Sequence, residues 1–188
     1  TNFIEPPREN FMRVAVNNLI QLGAIENNII TSFGKLLVNI PENNIFLATS
    51  IIFGKIYNCS RELMRVAAIM DACKGKIGDL YNLPETLTKK PETSETEFNK
   101  MIKNLEDKLN NKKKRFANKY GDHISLLNIY DKFHEQYEKH KNNLDKLNDW
   151  CYDHFLKLNP LLKATKHYKK TKPQLNNLIN GQLDPKTL

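Results

Sequence analysis

Apolar residues recur at helical spacing along most of this chain. Over residues 9–22, Met12, Val16 and Leu19 share one face, continued by Gly23, and Pro6-Pro7 fixes the approach, so the pattern predicts a helix. Asn27-Asn28 reads as a turn, and Ile29-Ile30 as a short strand-like pair. Thr31 is placed to cap a second helix over 32–39, which Pro41 ends. Helix, short strand and helix in this order suit a small winged-helix unit. Two apolar helices follow, over 44–57 (Ile45, Leu47, Ala48, Ile51, Ile52, Ile56) and 61–73 (Leu63, Val66, Ala67, Met70), the second with Ser60 at its cap. Their composition is that of core helices in an all-α bundle.

Past Lys74 the character changes. Gly75, Gly78, Pro84 and Pro91 break structure, and the stretch 86–96 is polar. A helix over 97–114 places Phe98, Ile102, Leu105 and Leu109 on one face. This region, about 78–111, reads as a polar insertion between core helices. After Gly121, Asp122 is positioned to cap a helix over 123–139 with Leu126, Tyr130, Phe133 and Tyr137 on one face. A further helix is expected over 144–158, carrying Leu147, Trp150, Cys151, Phe155 and Leu158. Pro160 fits the first turn of a last helix, expected to stop near 171 ahead of Pro173. Residues beyond 180 read as a tail. The expected class is mainly α.

A chain of 188 residues builds one domain or two small ones and buries a core without disulfides or metal. No apolar run approaches the roughly 18 residues of a membrane span. Three widely spaced cysteines, Cys59, Cys73 and Cys151, argue against a disulfide framework and for a reducing compartment. The expected setting is intracellular, nuclear or cytoplasmic, with a virion as the setting if the gene is viral. The weight of asparagine and lysine fits an AT-rich genome. A first residue other than Met suggests a fragment of a longer protein.

Net charge is +8, and it is unevenly placed. Lys112, Lys113, Lys114, Arg115 and Lys119 form one run without an acid, and Lys157, Lys163, Lys166, Lys169, Lys170 and Lys172 form another. These eleven charges exceed the whole chain's net +8, so the remainder is net acidic. Runs of this kind concentrate phosphate polymers, although a solvated lysine face is the commoner meaning.

Catalytic motifs are missing. Gly75-Lys76-Ile77-Gly78 has neither the glycine spacing nor the hydroxyl of a phosphate-binding loop, and no Asp-Glu-Ala-His sequence occurs to hold magnesium. His134-Glu135-Gln136-Tyr137-Glu138 opens like a zinc-protease helix but places Glu138 where the second histidine must stand. Cys151 and His154 have the spacing of half a zinc site, whose other half would fall to Cys59 and Cys73 at opposite ends of one helix. A cysteine on an apolar helix face, as Cys151 is, belongs with a core. What remains is a basic and polar cluster where a helix begins: Arg115, Lys119, Asp122 and His123. Free backbone N–H groups at such a start suit phosphate oxygens. Asp122, opposed in charge, is assigned to capping.

Several segments resemble, in order, the winged-helix and ratchet (helicase-associated) region of DEAH/RHA-type ATP-dependent RNA helicases. Phe3-Ile4-Glu5-Pro6-Pro7 looks like the family's Phe-x-Asp/Glu-Pro-Pro. Leu22-Gly23-Ala24-Ile25 and Ile30-Thr31-Ser32-Phe33-Gly34-Lys35 resemble Leu-Gly-Ala-Leu and Leu-Thr-Pro-Leu-Gly. Ile40-Pro41 and Asn58-Cys59-Ser60-Arg61-Glu62 resemble the junctions that follow. Gly121-Asp122-His123-Ile124-Ser125-Leu126-Leu127-Asn128-Ile129-Tyr130 matches Gly-Asp-His-Leu-Thr-Leu-Leu-Asn-Val-Tyr almost throughout, and Trp150-Cys151 with His154-Phe155-Leu156 resembles a Trp-Cys-x-x-Asn/His-Phe/Tyr-Leu segment. Departures are Ser32 for proline, Asn43-Asn44 for Asp-Pro, and the long polar insertion. The likeness spans about residues 3–178.

The resemblance implies a winged-helix unit at 1–41, a helical ratchet domain at 42–180 and a tail at 181–188. It implies an accessory helicase segment, without its own ATPase site or cofactor, that lines a channel for single-stranded RNA and couples ATP-driven closure to translocation and unwinding. ATP and Mg²⁺ would belong to RecA-like domains of the parent. Partners would be single-stranded RNA (or DNA), the RecA-like and OB-fold domains of the same parent, and an activator protein at the winged-helix unit, with no membrane. Lys119 and His123 take the strand contact from the resemblance; Arg115 is added on charge. The alternative is a helicase-derived scaffold that binds protein and no nucleic acid.

Overall fold

The computed structural model describes residues 6–82, 92–141 and 143–181, with side chains through 177. The Phe3-Ile4-Glu5 segment, Pro84, Pro91 and the tail beyond 181 lie outside the described residues. Among the described residues the chain is mainly α: eight α-helices, one 3-10 turn and one two-stranded hairpin. They fall into two compact units, one made of residues up to Leu63 together with those from Lys170 on, the other of Met64–Lys169.

In the first unit, α1 (Glu9–Gln21) leads to β1 (Ile25–Glu26), β2 (Ile29–Ile30) and α2 (Ser32–Val38). Gly23, at φ 72°, stands just past the end of α1, where a left-handed backbone lets the N–H groups of Gly23 and Ala24 reach back to the carbonyls of Ile20 and Leu19, each at 2.9 Å. Ala24 is thereby driven inside. Asn27 and Asn28 both carry positive φ (49° and 62°), the backbone a two-residue hairpin turn requires, and they set the register Ile25↔Ile30 and Glu26↔Ile29. The partner strand Ile25–Glu26 escaped the apolar pattern because two residues show no period.

Thr31 caps α2 as expected. Its Oγ1 accepts from Gly34 N at 3.0 Å and donates to the Gly23 carbonyl at 2.7 Å, so one hydroxyl joins the start of α2 to the end of α1. Thr31→Ala is expected to lower stability by about 1 kcal/mol and Thr31→Ser to retain most of it, read as the shift in thermal unfolding by far-UV circular dichroism. Ser32 is the first residue of α2, a position where proline is favoured, which accounts for the family's Thr-Pro.

α3 (Ile45–Phe53) starts from Asn44, whose side chain accepts from the N–H groups of Phe46 and Leu47, so this asparagine does its own capping. It buries Ala48, Ile51 and Ile52, and Phe53 meets Phe33 with ring centres 5.6 Å apart. α4 (Ser60–Ala72) follows. Ser60, expected as its cap, is its first residue, and its buried hydroxyl donates to the Ile51 carbonyl at 2.9 Å.

The second unit holds the rest of α4, the 3-10 turn Ile77–Leu80, α5 (Glu95–Lys114), α6 (Asp122–His140), α7 (Leu144–Asp153) and the first half of α8 (Leu158–Gly181). Its core includes Ile69, Leu80, Leu126, Ile129, Tyr130, Phe133, Leu147, Leu156 and Leu161, all nearly inaccessible. The stretch expected as an insertion is packed at both ends, since Leu80 and Leu109 are buried. Ser94 and Glu97 form a reciprocal capping box at the start of α5.

Three helix ends differ from expectation. α3 stops at Phe53 rather than running to 57, and Cys59 N returns to the Gly54 carbonyl at 2.8 Å. α7 stops at Asp153 rather than running to 158. Phe155 takes φ 56° there, and Phe155 N and Leu156 N return to the carbonyls of Tyr152 and Cys151. A left-handed phenylalanine is unfavourable locally. It is offset because Leu156 becomes buried and forms a bridge with Tyr81, while Lys157 N donates to Leu80 O at 2.8 Å. α8 does not stop near 171 but continues through Pro173 to Gly181. Proline costs a helix interior about 3 kcal/mol, and here Thr171 and Leu175 on either side of it are buried.

Candidate nucleic-acid interface

The turn from α5 to α6 is fastened from within. Arg115 is the C-cap of α5, and its N–H donates to the Lys112 carbonyl at 3.1 Å. The next residue, Phe116, is buried, with its ring edge-on to Trp150 and 5.6 Å from His154. Its carbonyl accepts from Asn128 Nδ2 at 3.0 Å. Asn118 N donates to Ser125 Oγ at 2.9 Å, Tyr120 N donates to Asn118 Oδ1 at 3.0 Å, and Ser125 Oγ donates to the Gly121 carbonyl at 3.1 Å. A turn held at this many points loses little entropy when a ligand arrives.

The same anchoring leaves the charged side chains outside. Arg115, Lys119, Tyr120 and His123 are all exposed, Tyr120 at 77%. All four lie between the last turn of α5 and the first turn of α6. Lys119 Nζ stands 5.0 Å from the centre of the Tyr120 ring, and Lys113 Nζ 4.6 Å from that of Tyr81. Lys112, Lys113 and Lys114 sit at the negative end of the α5 dipole, which favours cations there. No carboxylate among the described residues pairs with Arg115, Lys119 or these three lysines.

The second basic run is partly engaged within the fold. Lys169 reaches Glu138 at 3.1 Å and lies over the Tyr137 ring, and Lys172 also has a partner. Hydrogen bonds from Lys141 and Lys169 hold the Glu138 carboxyl down to about 2. Lys157, Lys163, Lys166 and Lys170 are exposed and, among the described residues, also lack a carboxylate partner, so what sets the first run apart is its place at a pinned turn beside Tyr120 and His123.

Asp122 is not the cap. α6 begins at Asp122 itself, and the N-cap is Gly121 at φ 116°, with no side-chain cap bond. The position that needs a capping oxygen is occupied by a residue without a side chain, because the chain turns there through a backbone that only glycine adopts readily. Asp122 still complements the positive end of the α6 dipole from the first turn. Burial, and after it the Asp122 carboxylate, push the Tyr81 phenol above its ordinary value.

Phe116, Asn118, Ser125 and Asn128 build the turn; the sequence did not single out Phe116 or Asn118, and it offered Ser125 and Asn128 only as part of the segment that resembles helicases. One signal was available: Phe116 is the lone aromatic in a run of charges. Cys151 is a core thiol, pushed up to about 12 by burial, and so is held protonated. Among the described residues no three His, Cys, Asp or Glu side chains gather to hold a metal, and no helix is long and apolar enough to cross a membrane.

No family model matches the chain. Over 87% of its length it is similar to the probable ATP-dependent RNA helicase DHX35 of Pongo abelii, 25% identical across 165 residues. The ATP-dependent RNA helicase DHX33 of Drosophila melanogaster is 26% identical over 169 residues, again covering 87% of the chain. The pre-mRNA-splicing factor ATP-dependent RNA helicase prp22 of Schizosaccharomyces pombe is 21% identical over 168 residues. The chain spans 18%, 19% and 11% of these three relatives. It therefore resembles, along most of its length, one segment of the DEAH-type ATP-dependent RNA helicases.

Proposed function

We propose that this chain is an accessory segment of a DEAH-type RNA helicase that lines the passage for a single strand and holds it through backbone phosphates at the α5–α6 turn. Residues 1–41 form its winged-helix unit and 42–180 its ratchet domain. ATP, Mg²⁺ and the coupling of closure to translocation belong to RecA-like domains of the parent. The observation that carries the reading is the turn itself, where Arg115, Lys119 and His123 are exposed and the two cations lack carboxylate partners, on a backbone pinned by Phe116, Asn118, Ser125 and Asn128. Likeness to RNA helicases supports a nucleic-acid ligand, and phosphate contacts of this kind tolerate any sequence.

The test is fluorescence anisotropy of labelled oligouridylate at low salt. Binding is expected to weaken as salt rises. Arg115→Glu combined with Lys119→Glu is expected to weaken it about 5–30-fold, the effect of roughly 1–2 kcal/mol from two exposed charge contacts. The salt slope should fall by about one to two. Affinity and slope unchanged in the double variant would sink the assignment.

A second reading is favoured by α1, which buries none of its residues and exposes Phe11, Met12, Val14, Val16 and Ile20. Of these, Met12, Val16 and Ile20 recur every fourth residue and share one face, and an apolar helix face in water marks a surface that docks against protein. This face is compatible with a segment seated among other domains, and equally with a protein-binding scaffold that has no nucleic-acid role. Absence of any oligouridylate binding would favour the scaffold.

A further inference from the structure

Beside the α5–α6 turn, a groove of about 520 Å³ opens between α6 and α7. Its volume lies within the ~300–1,000 Å³ of small-ligand sites. α7 and the residue after it supply an aromatic wall. The Trp150 and His154 rings stack at 4.3 Å and 26°, and His154 Nδ1 donates to the Trp150 carbonyl at 2.7 Å, fixing the imidazole beside the indole. α6 contributes the side-chain amide of Gln136 and that of Asn128, whose Nδ2 is already given to the Phe116 carbonyl.

The charges in this groove are largely settled within the protein. Asp131 is paired with Arg65 at 2.6 Å, and Glu135 with Lys132 at 3.0 Å. Arg115 is the lining cation that no carboxylate among the described residues neutralises, and it is also the first residue of the phosphate-contacting turn. The fitting ligand therefore has a neutral, flat, π-rich body, hydrogen-bonding groups on its edge, and one anionic attachment at Arg115. A nucleotide within a strand has this form: its base stacks on aromatic rings, amides meet its edge, and its phosphate meets a guanidinium.

We propose that the groove takes one unstacked nucleobase of the strand whose phosphates contact the α5–α6 turn, with Arg115 holding the phosphate of that same nucleotide. The inference rests on reading the turn as a strand contact. It adds a base-stacking site to a contact otherwise made through the backbone alone.

Trp150 is the chain's single tryptophan, so its emission reports on this groove. The 188-residue chain is titrated with oligouridylate and with an abasic oligomer of equal length and charge, following Trp150 emission and the anisotropy of a labelled strand. The base-bearing strand is expected to change the emission and to bind about tenfold more tightly than the abasic one. Gln136→Phe, which fills the groove, should bring that ratio close to one. Equal affinity for both oligomers with emission unmoved overturns the base site and leaves the phosphate contact standing. Failure of both oligomers to bind overturns the phosphate contact, and the base site with it. An equal emission change from uridine monophosphate at the strand's concentration overturns the assignment to a threaded strand.

Discussion

Replacing Phe133 with alanine is expected to lower the unfolding free energy by about 3–5 kcal/mol, the largest stability effect of any single change considered for this chain. Phe133 lies on the buried face of α6 and is fully inaccessible. Its ring centre is 6.0 Å from Trp150 and 6.3 Å from Tyr137, so truncation removes contacts to α7 and to the next turn of α6 together. Neighbours this large cannot collapse into the space without leaving a void, and the residual cavity adds to the lost transfer energy. Urea unfolding followed by Trp150 emission and far-UV circular dichroism gives the value. A loss under about 1 kcal/mol would mean that α6 and α7 do not pack here as described. Because Phe133 supports Trp150, the variant is also expected to weaken any preference for a base-bearing strand.

Gly34→Ala is expected to destabilise the first unit by about 3 kcal/mol, at the upper end of what overpacking costs. A Cβ built on Gly34 would stand 2.1 Å from the Ala24 carbonyl oxygen and 2.8 Å from Ile30 Cγ1. The first of these is backbone, and it is committed: the same oxygen accepts from Thr31 N at 3.0 Å. Relief therefore requires shifting α2 away from the hairpin, which breaks the Thr31 clamp as well. Trp150 lies in the other unit, so circular dichroism is the measurement that reports this loss. An alanine variant as stable as the parent chain would show that α2 does not approach the hairpin this closely. This contact supplies a physical reason for the glycine of the Leu-Thr-Pro-Leu-Gly segment that the chain resembles.

The two variants mark where the sequence was legible. Gly34 sat inside a segment quoted for its likeness to helicases, yet nothing local says that a carbonyl ten residues earlier occupies the place of its Cβ. Phe133 was legible outright, on the apolar face of a predicted helix. Asn44, expected as the first residue of its helix, is its cap, and Thr31 was readable as a cap because capping is a contact across three residues. Asp122 was not, since capping there turned on whether the helix began at 122 or 123.

The candidate site divides in the same way. Arg115, Lys119 and His123 were visible as a cluster of charge at a helix start. Their anchoring was not visible, because Phe116 finds Trp150 and His154 more than thirty residues later in the chain. The pairing of Lys169 with Glu138 was not visible either, since it joins residues 31 apart.

The order of residues by itself determined a mainly α chain, the placing of most helix starts, the gathering of positive charge and the likeness to helicases, because periodicity, capping and motif order are local properties. Tertiary structure alone decided that α7 turns early at a left-handed Phe155, that α8 persists through Pro173, and that one cationic turn stays open to solvent. Those outcomes depend on burial and pairing between residues far apart in the chain, whose energies outweigh the local preference of any single position.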